Sequence, residues 1–448
     1  MNKSILFWAL AVLSVLSVSS CKEDNEVVLT TDCYISNFTL GSVKRLVHSK
    51  TISGNDTTYY VSYAAGYYPM VIDQLAGTIE NNDSLLVNSV VKAVLVNIES
   101  TGTVVYRKAE QENSWKNYSM SDSIDFTTPL VFRVYTKDNS AWRDYAVKLN
   151  VHQQDGDVLQ WQKMTDLNVG SSVQTMKMFV WNDRVWAYIQ SGDGMKVFAT
   201  EDAAGNLWKE EMMTGCGGAD INTLAISANG LYMSDTSGLL LASDDALNWS
   251  IVDTEQKVKL FAADQTTIYA FSEQGVCASV DGKEWMFEGL DSDVKYLPTQ
   301  DITAVAYKQD KRVNRVLMLG NRDESEYPED KNAMVWSRSG VSSWTYFNIS
   351  SENHYACPRL ESPVLLHYGD VLLLLGRENS EAEASAPEYK IYVSKDNGIS
   401  WRNDEVYMLP NIINDSQLTA TVDKDDYIWL IVGAEVWKAR LNKYGFES

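Results

Sequence analysis

The stretch from Ser394 to Trp401 constrains the fold of this chain more than any other part of the sequence. It has the form Ser-x-Asp-x-Gly-x-Ser/Thr-Trp without a gap. The Ser and Asp side chains can bond amides of their own turn, and Gly398 accepts a positive φ without steric cost. Trp401 then lies on the following strand, where its ring can fill a core. The pattern predicts a β-hairpin fastened by its own side chains, and it specifies architecture without chemistry.

Looser copies of this pattern occur upstream, each after an apolar run typical of a strand. They end at Trp208, Trp249, Trp285 and Trp344, so that successive Trp residues up to Trp401 lie 41, 36, 59 and 57 residues apart. This spacing is typical of four-stranded propeller blades, two of them enlarged. The predicted structural positions are Asp202 and Trp208; Ser243, Asp245 and Trp249; Ser279, Asp281, Gly282 and Trp285; Ser337, Gly340 and Trp344; and Ser394, Asp396, Gly398 and Trp401.

Two of the copies depart from the pattern at positions that matter for the turn. Ala246 replaces the turn glycine in the second copy, and Ser339 replaces the aspartate in the fourth. We expect the side-chain fastening to be weaker in these two hairpins.

The five copies resemble the Asp-boxes of sialidase-like β-propellers. The resemblance implies that the box turns lie on one face of a propeller and that ligands meet the opposite face. A sialidase would also carry an Arg-Ile-Pro segment, which this sequence lacks, and Arg184 is the one early candidate for a substrate-binding arginine. The resemblance therefore predicts the fold and does not assign catalytic residues.

The two ends of this region complement each other. Residues 158–164 form a strand pattern with no box before it, and residues 418–422, 427–432 and 435–441 form three strands without a fourth. Joining them completes a sixth blade and removes the open edges of the ring. We predict a six-bladed propeller over residues 158–448, with five or seven blades as alternatives.

Residues 27–152 show strand patterns without Trp boxes. The clearest is a hairpin in which residues 129–136 and 145–151 flank a turn-rich segment at 137–140. This part resembles the immunoglobulin-like or cadherin-like sandwiches of Bacteroidetes surface lipoproteins, which implies a spacer role. Residues 153–157 form a short polar linker. The predicted fold class is all-β: an immunoglobulin-like β-sandwich followed by a six-bladed Asp-box β-propeller.

The N-terminus has the features of a secretion signal. Lys3 precedes an apolar run from Ile5 to Val18, and small residues lead to Cys21. Residues 1–20 are too short for a spanning helix and resemble a bacterial lipoprotein signal peptide, which implies a lipid on Cys21. The acidic tether at 21–26 resembles a surface-export tag. We therefore predict an outer-membrane lipoprotein exposed at the cell surface, with a periplasm-facing location as the alternative.

Composition limits the classes of partner. The formal net charge of −22 argues against nucleic acid and against an anionic bilayer, so the membrane is a partner through the lipid anchor only. The His residues show no metal-ligand spacing and no phosphate-binding glycine loop occurs, so neither metal nor cofactor is predicted. Four cysteines remain besides Cys21, and either a Cys216–Cys277 disulfide or four free thiols, with Cys33 and Cys357, would fit.

Two enlarged loops, 320–330 and 376–383, are predicted on the face opposite the boxes. Their candidate ligand-binding residues are Arg322, Glu324, Tyr327, Arg377, Glu378 and Glu381. Such side chains can bond sugar hydroxyls, although charged loops of this kind are also common as plain solvated surface. The predicted function is non-catalytic binding of a glycan or a partner protein. A glycoside hydrolase and an assembly scaffold for the cell envelope are the alternatives.

Overall fold

The computed structural model describes residues 32–50, 55–170, 172–201, 207–254, 256–309, 313–347, 353–378, 388–412 and 415–445. The chain separates into two compact units, one up to Asp155 and one from Gly156 onward. Regular structure in the described ranges is β-strand, apart from four short 3-10 helices: Ala65–Tyr67, Ile221–Thr223, Val294–Tyr296 and Asn442–Gly445. No helix in these ranges is both long enough and apolar enough to cross a membrane. The predicted all-β class is confirmed.

The first unit contains three sheets in its described part. Their strands are β1 (Ile35–Leu40), β2 (Ser42–Lys50), β3 (Asp56–Ala64), β4 (Met70–Asp73), β5 (Thr78–Asn81), β6 (Ser89–Val90), β7 (Val96–Ser100), β8 (Thr103–Lys108), β9 (Lys116–Asn117), β10 (Leu130–Tyr135) and β11 (Trp142–Lys148). The sheet orders are β1-β7, β3-β2-β6 and β4-β5-β11-β10-β8-β9. All pairings are antiparallel except β5 with β11, which is parallel.

The predicted hairpin near the end of this unit is confirmed. β10 pairs antiparallel with β11 from Leu130↔Val147 to Tyr135↔Trp142. Buried and half-buried residues alternate along β10, as a strand with one face on a core requires. Its buried Phe132 contacts the rings of Phe38, Tyr106 and Phe126 in one hydrophobic cluster. This cluster is the core of the first unit.

The second unit contains six sheets in its described part. Each of the first four sheets has four strands. The first sheet is β13 (Val173–Trp181), β14 (Arg184–Ser191), β15 (Gly194–Thr200) and β16 (Trp208–Glu211), and the second is β17 (Ala225–Ser227), β18 (Gly230–Ser234), β19 (Leu240–Ser243) and β20 (Ser250–Ile251). The third is β21 (Lys259–Ala263), β22 (Ile268–Ser272), β23 (Gly275–Ser279) and β24 (Met286–Phe287), and the fourth is β25 (Gln300–Gln309), β26 (Val313–Asn321), β27 (Met334–Ser339) and β28 (Thr345–Tyr346). The last two are β29 (Glu361–Tyr368), β30 (Val371–Glu378) and β31 (Glu388–Ser394); and β12 (Leu159–Lys163) with β34 (Glu435–Leu441), β33 (Ile428–Val432) and β32 (Leu418–Val422).

Each sheet packs on the next through apolar side chains. Six buried clusters in the second unit each combine residues from two consecutive sheets. One of them joins the last sheet to the first, through Trp429 and Ile431 against Met176 and Ile189. The first described strand of the unit, β12, pairs antiparallel with the last, β34. Burial of these faces removes large apolar areas from water, and each Å² of buried apolar surface stabilises the fold by about 25 cal/mol.

The last box is fastened as its residue types predict. Gly398 donates its amide to Ser394 Oγ at 2.8 Å, and the Ser400 amide bonds Asp396 Oδ1 at 2.9 Å. Gly398 has a φ of 94°, and its carbonyl accepts the Trp401 indole N–H at 3.1 Å. Trp401 is buried between two sheets. The box holds its own turn and anchors the next segment.

The other boxes follow the pattern to different degrees. In the second and third, the Ala246 and Gly282 amides donate to Ser243 Oγ and Ser279 Oγ at 3.1 and 2.9 Å. The corresponding carboxylates, Asp245 and Asp281, accept amides of their own turns, while Trp249 is buried and Trp285 half-buried. In the fourth, Trp344 is fully buried but Ser337 Oγ has no partner among the described residues. In the first, Asp202 lies outside the described residues, and half-buried Trp208 meets Trp429 edge to face.

The cysteines do not pair. Cys33, Cys216, Cys277 and Cys357 are all free thiols. Cys216 packs against the cluster between the first and second sheets, whereas Cys277 is buried in the cluster between the second and third. The alternative of a Cys216–Cys277 disulfide is therefore wrong, because the two thiols pack in different hydrophobic clusters.

Candidate functional site

The second unit encloses a central cavity of about 850 Å³. One strand from each of the six sheets lines it: β13, β17, β21, β25, β29 and β32. Each of these is an edge strand of its sheet, so the cavity lies where the six sheets meet. A volume of this size is within the range of small-ligand sites, about 300 to 1,000 Å³.

The two ends of the cavity can be told apart from the strand order. Successive strands in a sheet alternate in direction, and each box turn follows a third strand. The box turns therefore lie at the end where the lining strands finish. The lining strands begin at the opposite end, which we call the mouth.

Neutral polar side chains dominate the mouth. Gln174 and Gln417 line it from the first and last sheets, and neither amide side chain makes a hydrogen bond with a described residue. Thr175 Oγ1 donates to Asn222 Oδ1 at 3.0 Å, which leaves the exposed Asn222 amide N–H₂ group available. These groups offer donors and acceptors without a net charge.

The carboxylates of the mouth are already engaged by the protein. Asp301 accepts the Ser362 amide on Oδ1 at 3.1 Å and the Asn321 side chain on Oδ2 at 3.0 Å. Asp220 caps the 3-10 helix Ile221–Thr223 by accepting the Asn222 amide at 3.1 Å. Both carboxylates therefore fix the backbone that forms the mouth.

Aromatic packing closes the box end of the cavity. The His367 and Tyr307 rings stack with centroids 4.6 Å apart, and Tyr307 donates its hydroxyl to Asn397 Oδ1 in the last box. Burial lowers the pKa of His367, although Asp370 opposes this, and burial raises the pKa of Tyr307 to about 12. Both side chains are therefore neutral at pH 7, and they tie the lining to the Asp-box.

Arg322, the first predicted ligand residue, is a structural clamp. It is buried, its Nε and Nη2 bond both carboxylate oxygens of Asp330 at 2.7 Å, and its Nη1 bonds the Lys295 carbonyl at 3.2 Å. These hydrogen bonds to Asp330 raise the pKa of Arg322 further. The Tyr327 ring centroid lies 3.7 Å from Arg322 Cζ. Arg322 and Tyr327 therefore hold the long loop together from within.

The remaining predicted ligand residues also have partners where the structure describes them. Glu324 lies 3.7 Å from Arg359, and Arg377 lies 3.9 Å from Glu361. Glu378 forms an ion pair with Lys390, and Glu381 lies outside the described residues.

The described parts of the two enlarged loops, 320–330 and 376–378, both contact one segment, 358–361. Arg359 donates to the Arg322 carbonyl at 3.1 Å, while Glu361 pairs with Arg377 across β29 and β30. None of the five predicted ligand residues that the structure describes lines the cavity. Sequence reasoning missed the mouth amides because single glutamines carry no motif. Their common position at the start of lining strands is a signal that an alignment of the repeats could have found.

Acidic side chains elsewhere offer no metal cluster. The described residues contain no group of three or more His, Cys, Asp or Glu placed to hold a metal ion. Burial raises the pKa of Asp426, and Asp423 adds to this effect. Asp426 lies in the turn between β32 and β33, which is on the box face and not at the mouth.

Comparison with solved structures gives distant likenesses. The solved structure "Hadza microbial sialidase Hz136" shares 12% identity at a TM-score of 0.41, covering 92% of this chain and 93% of that one. "YCF48 bound to D1 peptide" shares 10% identity at a TM-score of 0.36, covering 62% and 95%. An endo-1,4-beta-xylanase from Bacteroides thetaiotaomicron shares 11% identity at a TM-score of 0.28, covering 58% and 84%. These values carry no argument about activity, and no curated protein matches the chain.

Family models cover most of the sequence. A model described as a domain of unknown function (DUF6242) N-terminal domain matches residues 38–149. A second, described as the DUF6242 beta propeller domain, matches residues 155–448 and confirms the predicted propeller. The chain therefore belongs to the DUF6242 family and carries that family's β-propeller domain.

Proposed function

We propose that this protein binds a glycan, without catalysis, at the mouth of the propeller cavity. The observation that carries the proposal is a pair of amide side chains, Gln174 and Gln417, that make no hydrogen bond with any described residue and line a cavity of about 850 Å³. Amides with both a donor and an acceptor match sugar hydroxyls, which also carry both. A rigid frame of strands holds their backbone in place, so only the side chains have to be ordered on binding.

Binding is favoured over hydrolysis by the state of the mouth carboxylates. A glycosidase needs two carboxyl groups flanking the scissile bond, one of them with a raised pKa. Asp220 and Asp301 instead accept hydrogen bonds from the backbone and side chains that shape the mouth. The raised carboxyl pKa of Asp426 is on the box face. Glycoside hydrolysis therefore stays the second hypothesis.

The proposal includes a specific architecture. The six sheets of the second unit are blades of one six-bladed propeller, closed by β12 on β34. The first unit is an immunoglobulin-like sandwich that acts as a spacer. Its three sheets around a shared core support this assignment.

The proposal also includes a location. Cys21 carries a lipid after removal of residues 1–20, and the protein is anchored in the outer membrane with its propeller at the cell surface. The support is the sequence pattern before Cys21, which lies outside the described residues.

A glycan array tests the function. The full-length protein is applied to the array, and the same glycans are assayed for released sugar. We expect retention without product. Gln174→Ala and Gln417→Ala each remove one free amide and should weaken binding about fivefold, the effect of one hydrogen bond of about 1 kcal/mol.

Gln265→Ala is the matched control, because Gln265 is an exposed glutamine in the β21–β22 turn on the box face. It should leave affinity unchanged. Released sugar would replace the binding hypothesis with hydrolysis. Retention that ignores both mouth variants would place the site elsewhere, and absence of retention would reject a glycan ligand.

A further inference from the structure

Lys177 is a cavity residue whose chemistry the proposed function does not use. It lies in the middle of β13 and lines the cavity, while its neighbours Met176 and Met178 are buried in the seam between the last and first sheets. The strand alternation therefore places the lysine on the opposite face of the sheet, which packs on the second sheet and carries Phe179, and here Lys177 lines the cavity.

The Lys177 ammonium has no partner in the part of the chain that the structure describes. Among the described residues it makes neither a hydrogen bond nor an ion pair. Burial lowers its pKa, and the carboxylate of Asp220 opposes this. Asp220 is held at the mouth by its bond to the Asn222 amide. Lys177 is half-buried, and a lysine that has lost much of its contact with water normally has a partner, since an unpaired charge is unfavourable there.

The other charges that line the cavity do not neutralise it. They are Lys259 at the mouth, Lys308 and His367 at the box end, and the carboxylates Asp220 and Asp301. Three lysines against two aspartates give the lining a net charge of +1, with His367 neutral. Asp301 is engaged by Ser362 and Asn321. A chain of net charge −22 thus surrounds a cavity of the opposite sign.

We propose that the cavity binds an acidic sugar whose carboxylate pairs with the Lys177 ammonium while the mouth amides bond its hydroxyls. This proposal rests on the proposed function and names the class of its ligand. One ammonium among neutral donors suits a singly charged carboxylate, whereas a phosphate dianion is usually held by several cations or by arginine. The depth of Lys177 along β13 suits a monosaccharide or a chain end that enters from the mouth.

Matched sugars test the pairing on the full-length protein. Isothermal titration calorimetry compares glucuronic acid with glucose, galacturonic acid with galactose, and includes acetate as a carboxylate without a sugar. We expect at least one uronic acid to bind about tenfold or more tightly than its neutral partner, the effect of a charged hydrogen bond. Acetate should bind far more weakly than that uronic acid, because it cannot use the mouth amides.

Lys177→Met keeps the length of the side chain and removes its charge. It should abolish the preference for the acid and leave affinity for the neutral sugar unchanged. Lys283→Met is the control, because Lys283 is an exposed lysine in the third box turn and does not line the cavity. Circular dichroism checks that each variant is folded. The preference should also fade as pH rises and Lys177 loses its proton, since only the ammonium attracts the carboxylate.

The outcomes separate the two proposals. A preference for the acid that survives Lys177→Met, or acetate binding as tight as that of the uronic acid, overturns the acidic-sugar proposal. So does the absence of binding by both uronic acids. If neutral glycans are retained through Gln174 and Gln417 in that case, the glycan-binding function stands alone, and if nothing is retained, both proposals fail.

Discussion

The central position of the box turn is a glycine in the last box and an alanine in the second. Gly398 has a φ of 94°, and a Cβ built on it would lie 2.7 Å from Leu317 Cδ2. Ala246 stands at the same position of the second box with a φ of 67°, fully buried. The space between the sheets at Ala246 accommodates a methyl group, whereas Leu317 already fills the corresponding space at Gly398. The cost of a side chain is therefore set by the neighbouring sheet as well as by the turn.

Gly398→Ala should lower the free energy of unfolding by about 2 to 3 kcal/mol, since a left-handed alanine and an overpacked seam both contribute. Urea denaturation followed by circular dichroism measures the change. Ala246→Gly is the matched control, in which relief of strain is offset by greater freedom of the unfolded chain, so it should shift stability by less than about 1 kcal/mol. Equal effects of the two variants would show that the seam does not matter.

At the scale of one element, the fourth box shows what the aspartate contributes. Ser337 Oγ is buried without a partner among the described residues, and Ser339 stands where the other boxes have a carboxylate. In the second box the corresponding Asp245 accepts the Ser243 hydroxyl at 3.1 Å and the amides of Leu247 and Asn248. The hydrogen bond from the Asn248 amide is the largest influence that lowers the pKa of Asp245, to about 2. The fourth hairpin keeps its Trp anchor and lacks this fastening.

Ser339→Asp should raise the free energy of unfolding at pH 7 by about 1 kcal/mol, because the new carboxylate can accept Ser337 Oγ and amides of the turn. A carboxyl group whose pKa is lower in the folded than in the unfolded protein stabilises the fold at pH values above its unfolded-state pKa, which is 3.8 for Asp. This stabilisation is lost as the pH falls through the folded-state pKa. The gain should therefore vanish between about pH 4 and pH 2. Denaturation at pH 7 and pH 3 measures it. Ser343→Asp, exposed in the same turn, should give no gain, and an equal gain there would indicate a general charge effect.

At the scale of the whole molecule, patterns of neighbouring residues predict strands and turns better than they predict the candidate functional site. The box at Ser394–Trp401 and the hairpin of β10 with β11 are specified by residues close in sequence, so their patterns are visible without a structure. Charge and loop length point to the candidate ligand residues, but they do not show that Arg322 bonds Asp330, eight residues away. The cavity combines single residues from six distant strands, such as Gln174 and Gln417. No local pattern can express that arrangement, because it exists only once the sheets are packed.

The ring also depends on one pairing between distant parts of the chain. β12 pairs with β34 from Leu159↔Leu441 to Lys163↔Trp437. Half-buried Trp161, at the centre of β12, packs on the cluster between the fifth and last sheets. It donates its indole N–H to the Met408 carbonyl at 2.7 Å. One side chain thus links the first strand of this unit to two later segments.

Trp161→Ala should lower the free energy of unfolding of the second unit by about 3 kcal/mol, through lost packing and an unpaired carbonyl. Trp142→Ala is the control, since Trp142 is 56% exposed in the first unit, and its loss should cost less than about 1 kcal/mol. Differential scanning calorimetry measures both. Because every sheet packs on two neighbours, the whole second unit should still unfold in one transition, at a lower temperature. If Trp161→Ala shifts that transition no more than Trp142→Ala does, β12 is not what closes the ring.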